Sequence, residues 1–170
     1  MNTHRVLGIV GWKNSGKTTL VEALVRQLTA HGLRVSTVKH AHHAVDIDVP
    51  GKDSHRHREA GAHEVIVTSA QRWALMRELR DTAEPEVEEL IAKLAPCDLV
   101  LVEGFKRGKH PKIEVARFMR AEGLIADRDD TVIAVATDDL ALAGRHFALP
   151  LKDTAAIVEF VCGRLNVPRK

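Results

Sequence analysis

The run Gly11-Trp12-Lys13-Asn14-Ser15-Gly16-Lys17-Thr18-Thr19 has the residue types and spacing to hold a chain of phosphates, in the form Gly-x-x-x-x-Gly-Lys-Thr. Glycine at positions 11 and 16 permits backbone angles that a side chain would block, so successive N–H groups can point inward at phosphate oxygens. Lys17 then reaches the outer phosphates, and the Thr18 hydroxyl holds a magnesium ion. The pattern also occurs by chance, so it needs a strand before it and a helix after it. Arg5 to Val10 is an apolar run of strand length, and Leu20, Val21, Leu24, Val25 and Leu28 recur at helical spacing. Gly32 stands where a terminal glycine of that helix belongs.

A magnesium ion beside Thr18 requires a carboxylate, or its ordered water, on the other side. Asp98 to Val102 is a continuous apolar run suited to a strand buried on both faces, and Glu103 follows it directly. Glu103 is therefore the expected metal-side acid, acting as a ligand or through water; aspartate is more usual at such a place. Asp138 follows another apolar run, Thr131 to Ala136. A carboxylate there can accept hydrogen bonds from the N1 and N2 groups of guanine, which adenine does not offer, although Asp138-Asp139 also suits a plain turn. Lys106, Arg107 and Lys109 form a basic stretch that could clamp phosphates, receive an acidic partner, or simply be a solvated loop.

The elements that must position these groups follow the order of an α/β protein. Leu33 to Lys39 reads as a second strand, so the phosphate loop lies at the first turn of a β-α-β unit and the sheet is expected to be parallel. Residues from His40 to Ser54 form a loop at the carboxyl end of that strand, the edge where open α/β sheets bind ligands. Asp53 or Ser54 is expected to cap a short helix stopped by Gly61. Glu64 to Thr68 and Gln71 to Met76 read as a hairpin turning through Ser69-Ala70. Pro85 suits the start of a helix carrying Val87, Leu90, Ile91 and Leu94, ended by Pro96. Ile113 to Phe118 alternates like a half-exposed strand, and Asp153 is expected to cap a last helix with Ile157, Phe160, Val161 and Leu165 along its apolar stripe. The predicted fold is a three-layer, mostly parallel sheet with helices on both faces and an additional hairpin.

A chain of 170 residues suits one compact domain, residues 1–170. Hydrophobic residues make up 45% and no apolar run approaches the roughly 20 residues of a membrane span, so a membrane role is not expected. The first strand begins at once, leaving no room for a signal peptide, and a cytoplasmic location is expected. The 25 basic and 23 acidic residues are mixed along the chain, which provides no footprint for a nucleic acid. Cys97 and Cys162 lack metal-type spacing and read as buried reduced thiols.

Taken together, these stretches resemble the MobB family of molybdopterin-guanine dinucleotide biosynthesis adaptor proteins. The resemblance rests on the phosphate loop through Leu20, Lys39-His40-Ala41-His42-His43, residues 46–54 (Asp-Ile-Asp-Val-Pro-Gly-Lys-Asp-Ser), Ala60-Gly61-Ala62, Gln71 to Met76, Leu101 to Lys106 and Val132 to Asp138, in the family's order. It implies a GTP-binding protein of weak GTPase activity, with Mg2+, that assists a separate transferase in attaching GMP to molybdopterin. It also implies that Gly11, Asn14, Ser15, Gly16, Lys17, Thr18 and Thr19 hold the phosphates and metal. Asp46 is a second acidic group facing that site, Glu103 the acid after the buried strand, and Lys17 with Glu103 the pair that would serve hydrolysis. Gln71 to Met76 is then a nucleotide-side or a dimer-side segment, and a homodimer built through an extended sheet is implied. Molybdopterin or the dinucleotide cofactor is a further candidate ligand. Two features depart from the pattern: Ala44 stands where some relatives begin an acidic run, and Lys13 lies four residues before Lys17 where related dimeric hydrolases have five, so no lysine is expected to act across a dimer.

Two rival readings share the phosphate loop. His40, His42, His43, His55 and His57 are five of the ten histidines and fall in one region, as a GTP-driven zinc or nickel chaperone would need, but no cysteine lies nearby. A small-molecule kinase would need an arginine-bearing lid, for which Arg107 and Arg117 are the candidates after Glu103.

Overall fold

The computed structural model describes residues 4–41, 48–118 and 121–168. Two compact units divide the chain, Met1–His40 with Glu86–Lys170, and Ala41–Pro85. The first begins with β1 (Val6–Val10), α1 (Lys17–Ala30) and β2 (Val35–Lys39). The second holds α2 (Asp53–Glu59), β3 (Glu64–Thr68) and β4 (Trp73–Arg77). The chain returns to the first unit with α3 (Val87–Ile91), β5 (Leu99–Glu103), β6 (Lys112–Ala116), β7 (Val132–Thr137), β8 (Ala148–Pro150) and α4 (Thr154–Arg164). A 3-10 turn at Leu140–Ala143 lies between β7 and β8.

Among the described residues, six strands form one parallel sheet in the order β2-β5-β1-β6-β7-β8. The first strand is thus central, flanked by β5 on one side and β6 on the other, and successive connections run to opposite sides of it. That reversal opens a crevice at the carboxyl end of β1, where the phosphate loop begins.

Parallel strands are buried on both faces, and the two faces carry different helices. On one face Leu7, Ile9, Leu101, Ile113 and Ala134 pack against Leu20, Leu24 and Leu28 of α1 and Ile157 and Val161 of α4. On the other, Val87 of α3 meets Val100 and Val102, while Leu124, Ala126 and Ala143 cover Ala116 and Val135. These are the three layers expected. Gly32, at φ +76°, closes α1 with Leu33 N–H donating to Leu28 O at 3.1 Å. Asp153 caps α4 by accepting from Ala156 N–H at 3.0 Å, as its sequence position predicts.

Several local expectations differ from what forms. The third helix is only five residues long, because beyond Ile91 the chain tightens into i→i+3 bonds, Lys93 N–H to Leu90 O and Leu94 N–H to Ile91 O. Neither Asp53 nor Ser54 caps α2: Lys52 is its N-cap residue, and the Ser54 hydroxyl donates to Asp48 Oδ1 at 2.8 Å instead. The hairpin turns through Ser69 to Arg72 rather than Ser69-Ala70, with Ser69 N–H donating to Arg72 O. In α4, Val158 and Cys162 are buried along with Ile157 and Val161, whereas Phe160 stacks on Phe147 with ring centroids 5.2 Å apart and Leu165 packs at the margin. Neither Cys97 nor Cys162 is in a disulfide; Cys162 is buried as expected, whereas Cys97 is only half-buried.

The largest difference concerns β6. Its alternation of polar and apolar residues reads as half-exposed, yet all five residues are buried between β1 and β7. Its two charged side chains find partners inside. The Lys112 ammonium donates to Gly108 O and Thr131 Oγ1 and lies 3.1 Å from Asp129 Oδ2. The Glu114 carboxylate accepts from the N–H groups of Ile125 and Ala126 at 3.0 and 2.9 Å. Burial pushes the Glu114 pKa up, opposed by those two N–H groups. His110 lies against Gly8, where a Cβ would come within 2.7 Å of its Nε2, and burial followed by the Lys112 charge lowers its pKa.

Candidate functional site

The phosphate loop departs from β1 at Gly11, whose φ is +146° and whose Cβ would come within 2.5 Å of Val115 O and 2.7 Å of Ser15 Oγ. Only glycine fits there. Asn14 at φ +64° takes the left-handed conformation that asparagine tolerates, and Gly16 at φ +100° is the N-cap residue of α1. Ser15 N–H donates to Trp12 O at 3.2 Å, which folds the loop back on itself, and Leu20 N–H to Gly16 O at 3.0 Å starts the helix. No side chain caps α1, which leaves its leading N–H groups and the positive end of its dipole available to an anion.

Around this cradle stand the reactive side chains. The Lys17 ammonium donates to Trp12 O at 2.8 Å, folded over the loop. The Thr18 hydroxyl donates to Glu103 Oε1 at 2.7 Å. Glu103 ends β5, where the register sets it beside both Ile9 of β1 and Lys39 of β2. The Lys39 ammonium accordingly lies 3.4 Å from the same Glu103 oxygen and 3.5 Å from Thr18 Oγ1. Behind Glu103 the backbone is pinned by His40 N–H to Glu103 O at 2.9 Å and Gly104 N–H to Ile9 O at 3.1 Å. A Cβ on Gly104, at φ +92°, would meet that of His40 at 2.9 Å, so glycine is required for the turn.

On the other flank, the Trp12 indole N–H donates to Gly123 O at 3.0 Å, and the Lys106 ammonium lies 4.1 Å from the Trp12 ring centroid. The basic stretch after Glu103 thus reaches the loop through an aromatic ring. The Gly123 segment is in turn anchored by Glu114 through Ile125 and Ala126. Arg117, the residue after β6, places its guanidinium against Gly16.

The structure therefore brings together Gly11, Asn14, Ser15, Gly16, Lys17, Thr18 and Thr19 with Glu103. Asp138 stands at the same carboxyl edge, at the end of β7, two strands from β1, with its carboxylate 4.0 Å from Lys152 Nζ. The turn role falls on its neighbour, since Asp139 accepts from Ala141 N–H at 3.0 Å. Asp46, His42 and His43 lie outside the described residues. Among the described residues, no three His, Cys, Asp or Glu side chains gather as a metal site. Lys39 and Trp12 are additions to the expected site residues, and Arg117, weighed in the sequence only as a kinase-lid candidate, lies against Gly16. In the sequence Lys39 ends a strand and opens the Lys39-to-His43 run, but its neighbour across the sheet, Glu103, carries no local signal there.

A family model described as molybdopterin guanine dinucleotide synthesis protein B, MobB, matches residues 6–138. The chain belongs to the MobB family. It is 42% identical over 166 residues to the molybdopterin-guanine dinucleotide biosynthesis adapter protein of Escherichia coli, covering 92% of this chain and 90% of that one. With the Haemophilus influenzae protein of the same name, identity is 44% over 136 residues, 78% and 74% of the two chains. Among solved structures, a molybdopterin-guanine biosynthesis protein B superposes with a TM-score of 0.71 at 28% identity over 95% of this chain and 99% of that one. Bacillus subtilis MobB does so with a TM-score of 0.70 at 29% identity, over 95% and 98%.

A MobB chain with this loop carries a nucleotide-binding site. The donor set also fits a small hard cation: a hydroxyl and a carboxylate converge at the head of α1, and oxygen ligands of this kind suit Mg2+. Among the described residues, no helix is long and apolar enough to cross a membrane.

Proposed function

We propose that this chain binds GTP with Mg2+ and acts as an adaptor, with slow GTP hydrolysis, for a guanylyltransferase that joins GMP to molybdopterin. The observation that carries the reading is the 2.7 Å Thr18–Glu103 contact at the mouth of a glycine-built phosphate cradle. The names of the Escherichia coli and Haemophilus influenzae relatives support the adaptor role and the need for a partner enzyme. Gly11 to Thr19 hold the phosphates, Lys17 turning from Trp12 O to the outer ones, and Thr18 and Glu103 hold the metal. Bound Mg2+ supplies neutralisation of charge on the phosphate oxygens. Asp138 selects guanine over adenine. Turnover is slow in this reading because, among the described residues, none is assigned to orienting an attacking water.

The adaptor works as a cytoplasmic homodimer. Support comes from the β3–β4 hairpin, where Ile66, Trp73 and Leu75 share one face and Ile66 and Trp73 are 65% and 68% exposed. Calorimetric titration with GTP and ATP, with and without Mg2+, tests the ligand. Addition of the protein to the partner transferase tests the role: a GTP-dependent rise in guanine dinucleotide cofactor supports it, and no rise at saturating GTP would rule it out.

A further inference from the structure

We propose that Arg117 is a second phosphate-binding cation of this site, gripping the nucleotide from the flank opposite Glu103; the inference rests on the nucleotide site proposed above. The position is a consequence of topology. On the side of β1 away from β5, β6 pairs with it in the register Val10↔Glu114, so the chain leaves the sheet next to the phosphate loop and Arg117 is its first residue beyond the strand. Its Nε and Nη2 lie 3.2 Å, and its Cζ 3.3 Å, from where a Cβ on Gly16 would be. The guanidinium thus rests on the N-cap residue of α1, whose leading N–H groups have no side-chain cap.

Two further points separate this from an ordinary surface arginine. Among the described residues, no carboxylate or carbonyl holds the Arg117 guanidinium, whereas the site's acid, Glu103, is already shared by Thr18 and Lys39. The planar fork of arginine matches phosphate oxygens bidentately, and beside a helix N-terminus it meets the same anion that the loop N–H groups address. Among the described residues, Lys17, Lys39 and Arg117 stand with Glu103 at the mouth of the loop, three cations to one carboxylate. A polyphosphate is the ligand that such an excess suits.

The test is calorimetric titration of the full chain and of Arg117→Gln, Arg117→Ala and Arg117→Lys with Mg-GTP, Mg-GDP and GMP, at two salt concentrations. Glutamine keeps most of the packing length and removes the charge. The Gln and Ala variants should bind GTP and GDP roughly tenfold more weakly or worse, the loss of a charge-assisted contact. Arg117→Lys should recover part of that loss, GMP should be little affected, and the salt dependence of GTP binding should shrink. Thermal unfolding checks that each variant is folded; if the alanine variant is not, the Gln and Lys variants decide. Unchanged GTP and GDP affinity in folded Arg117→Gln would overturn the proposal while leaving the nucleotide site standing. Failure of the unaltered chain to bind Mg-GTP would overturn both.

Discussion

The hydroxyl of Thr18 and the carboxylate of Glu103 meet at 2.7 Å across the head of α1. They are 85 residues apart in the chain and are joined because β5 lies directly beside β1 in the sheet. If Mg2+ is held at this point, Glu103→Gln should reduce GTP turnover by about a hundredfold while weakening GTP binding far less. Single-turnover hydrolysis alongside calorimetry measures the two separately. Equal turnover would remove Glu103 from the metal side.

Lys17 lies over the loop on Trp12 O and would turn outward to the phosphates. Lys17→Ala should therefore abolish GTP binding in practice, a loss of roughly a hundredfold or more, with the fold intact by circular dichroism. An undiminished titration would refute the site.

Lys39 shares the Glu103 oxygen with Thr18. Its ammonium repels a divalent cation at the same carboxylate. Lys39→Met should lower the Mg2+ concentration needed for half-maximal GTP binding by about several-fold, read from titrations at a series of Mg2+ concentrations. A higher requirement would mean that Lys39 serves the phosphates instead.

Asp138 carries the proposed guanine contact from the end of β7. Asp138→Asn should lower the preference for GTP over ATP by about tenfold or more, since a carboxylate accepting two N–H groups is replaced by an amide that can pair with one. Competition binding measures the ratio, and an unchanged ratio moves the base elsewhere.

Glu114 links pH to stability. Its folded pKa is raised by burial above the ordinary glutamate range, so between the unfolded and folded values the native state binds more protons. The stability it contributes is complete below the ordinary range and declines as pH rises through the folded pKa. The unfolding temperature of the natural chain should therefore fall relative to Glu114→Gln on going from acidic to neutral pH; a difference independent of pH would contradict this. Glu114→Ala leaves the N–H groups of Ile125 and Ala126 unpaired and should cost about 2–3 kcal/mol, measured by urea unfolding.

Much of this was legible in the residues in order. The Gly-Lys-Thr loop, the apolar strands on either side of it and the acid after Asp98 to Val102 each depend on local chemistry: backbone freedom at glycine, apolar runs long enough for a buried strand, a carboxylate at a strand end. Those rules act over a few residues, and the motifs they generate were enough to show the family resemblance.

What tertiary structure alone decided depends on strand order. Placing β6 between β1 and β7 buried Lys112 and Glu114, whose alternation with apolar neighbours reads as a solvated face; their partners, Asp129 and the Ile125-Ala126 backbone, lie 11 to 17 residues on. The same order put Lys39 against Glu103 and Arg117 against Gly16. Local sequence sets which backbone angles and apolar faces are possible. Which charged groups end up neighbours is set by the packing of the whole sheet, because a contact across strands carries no signature in the residues adjacent to either partner.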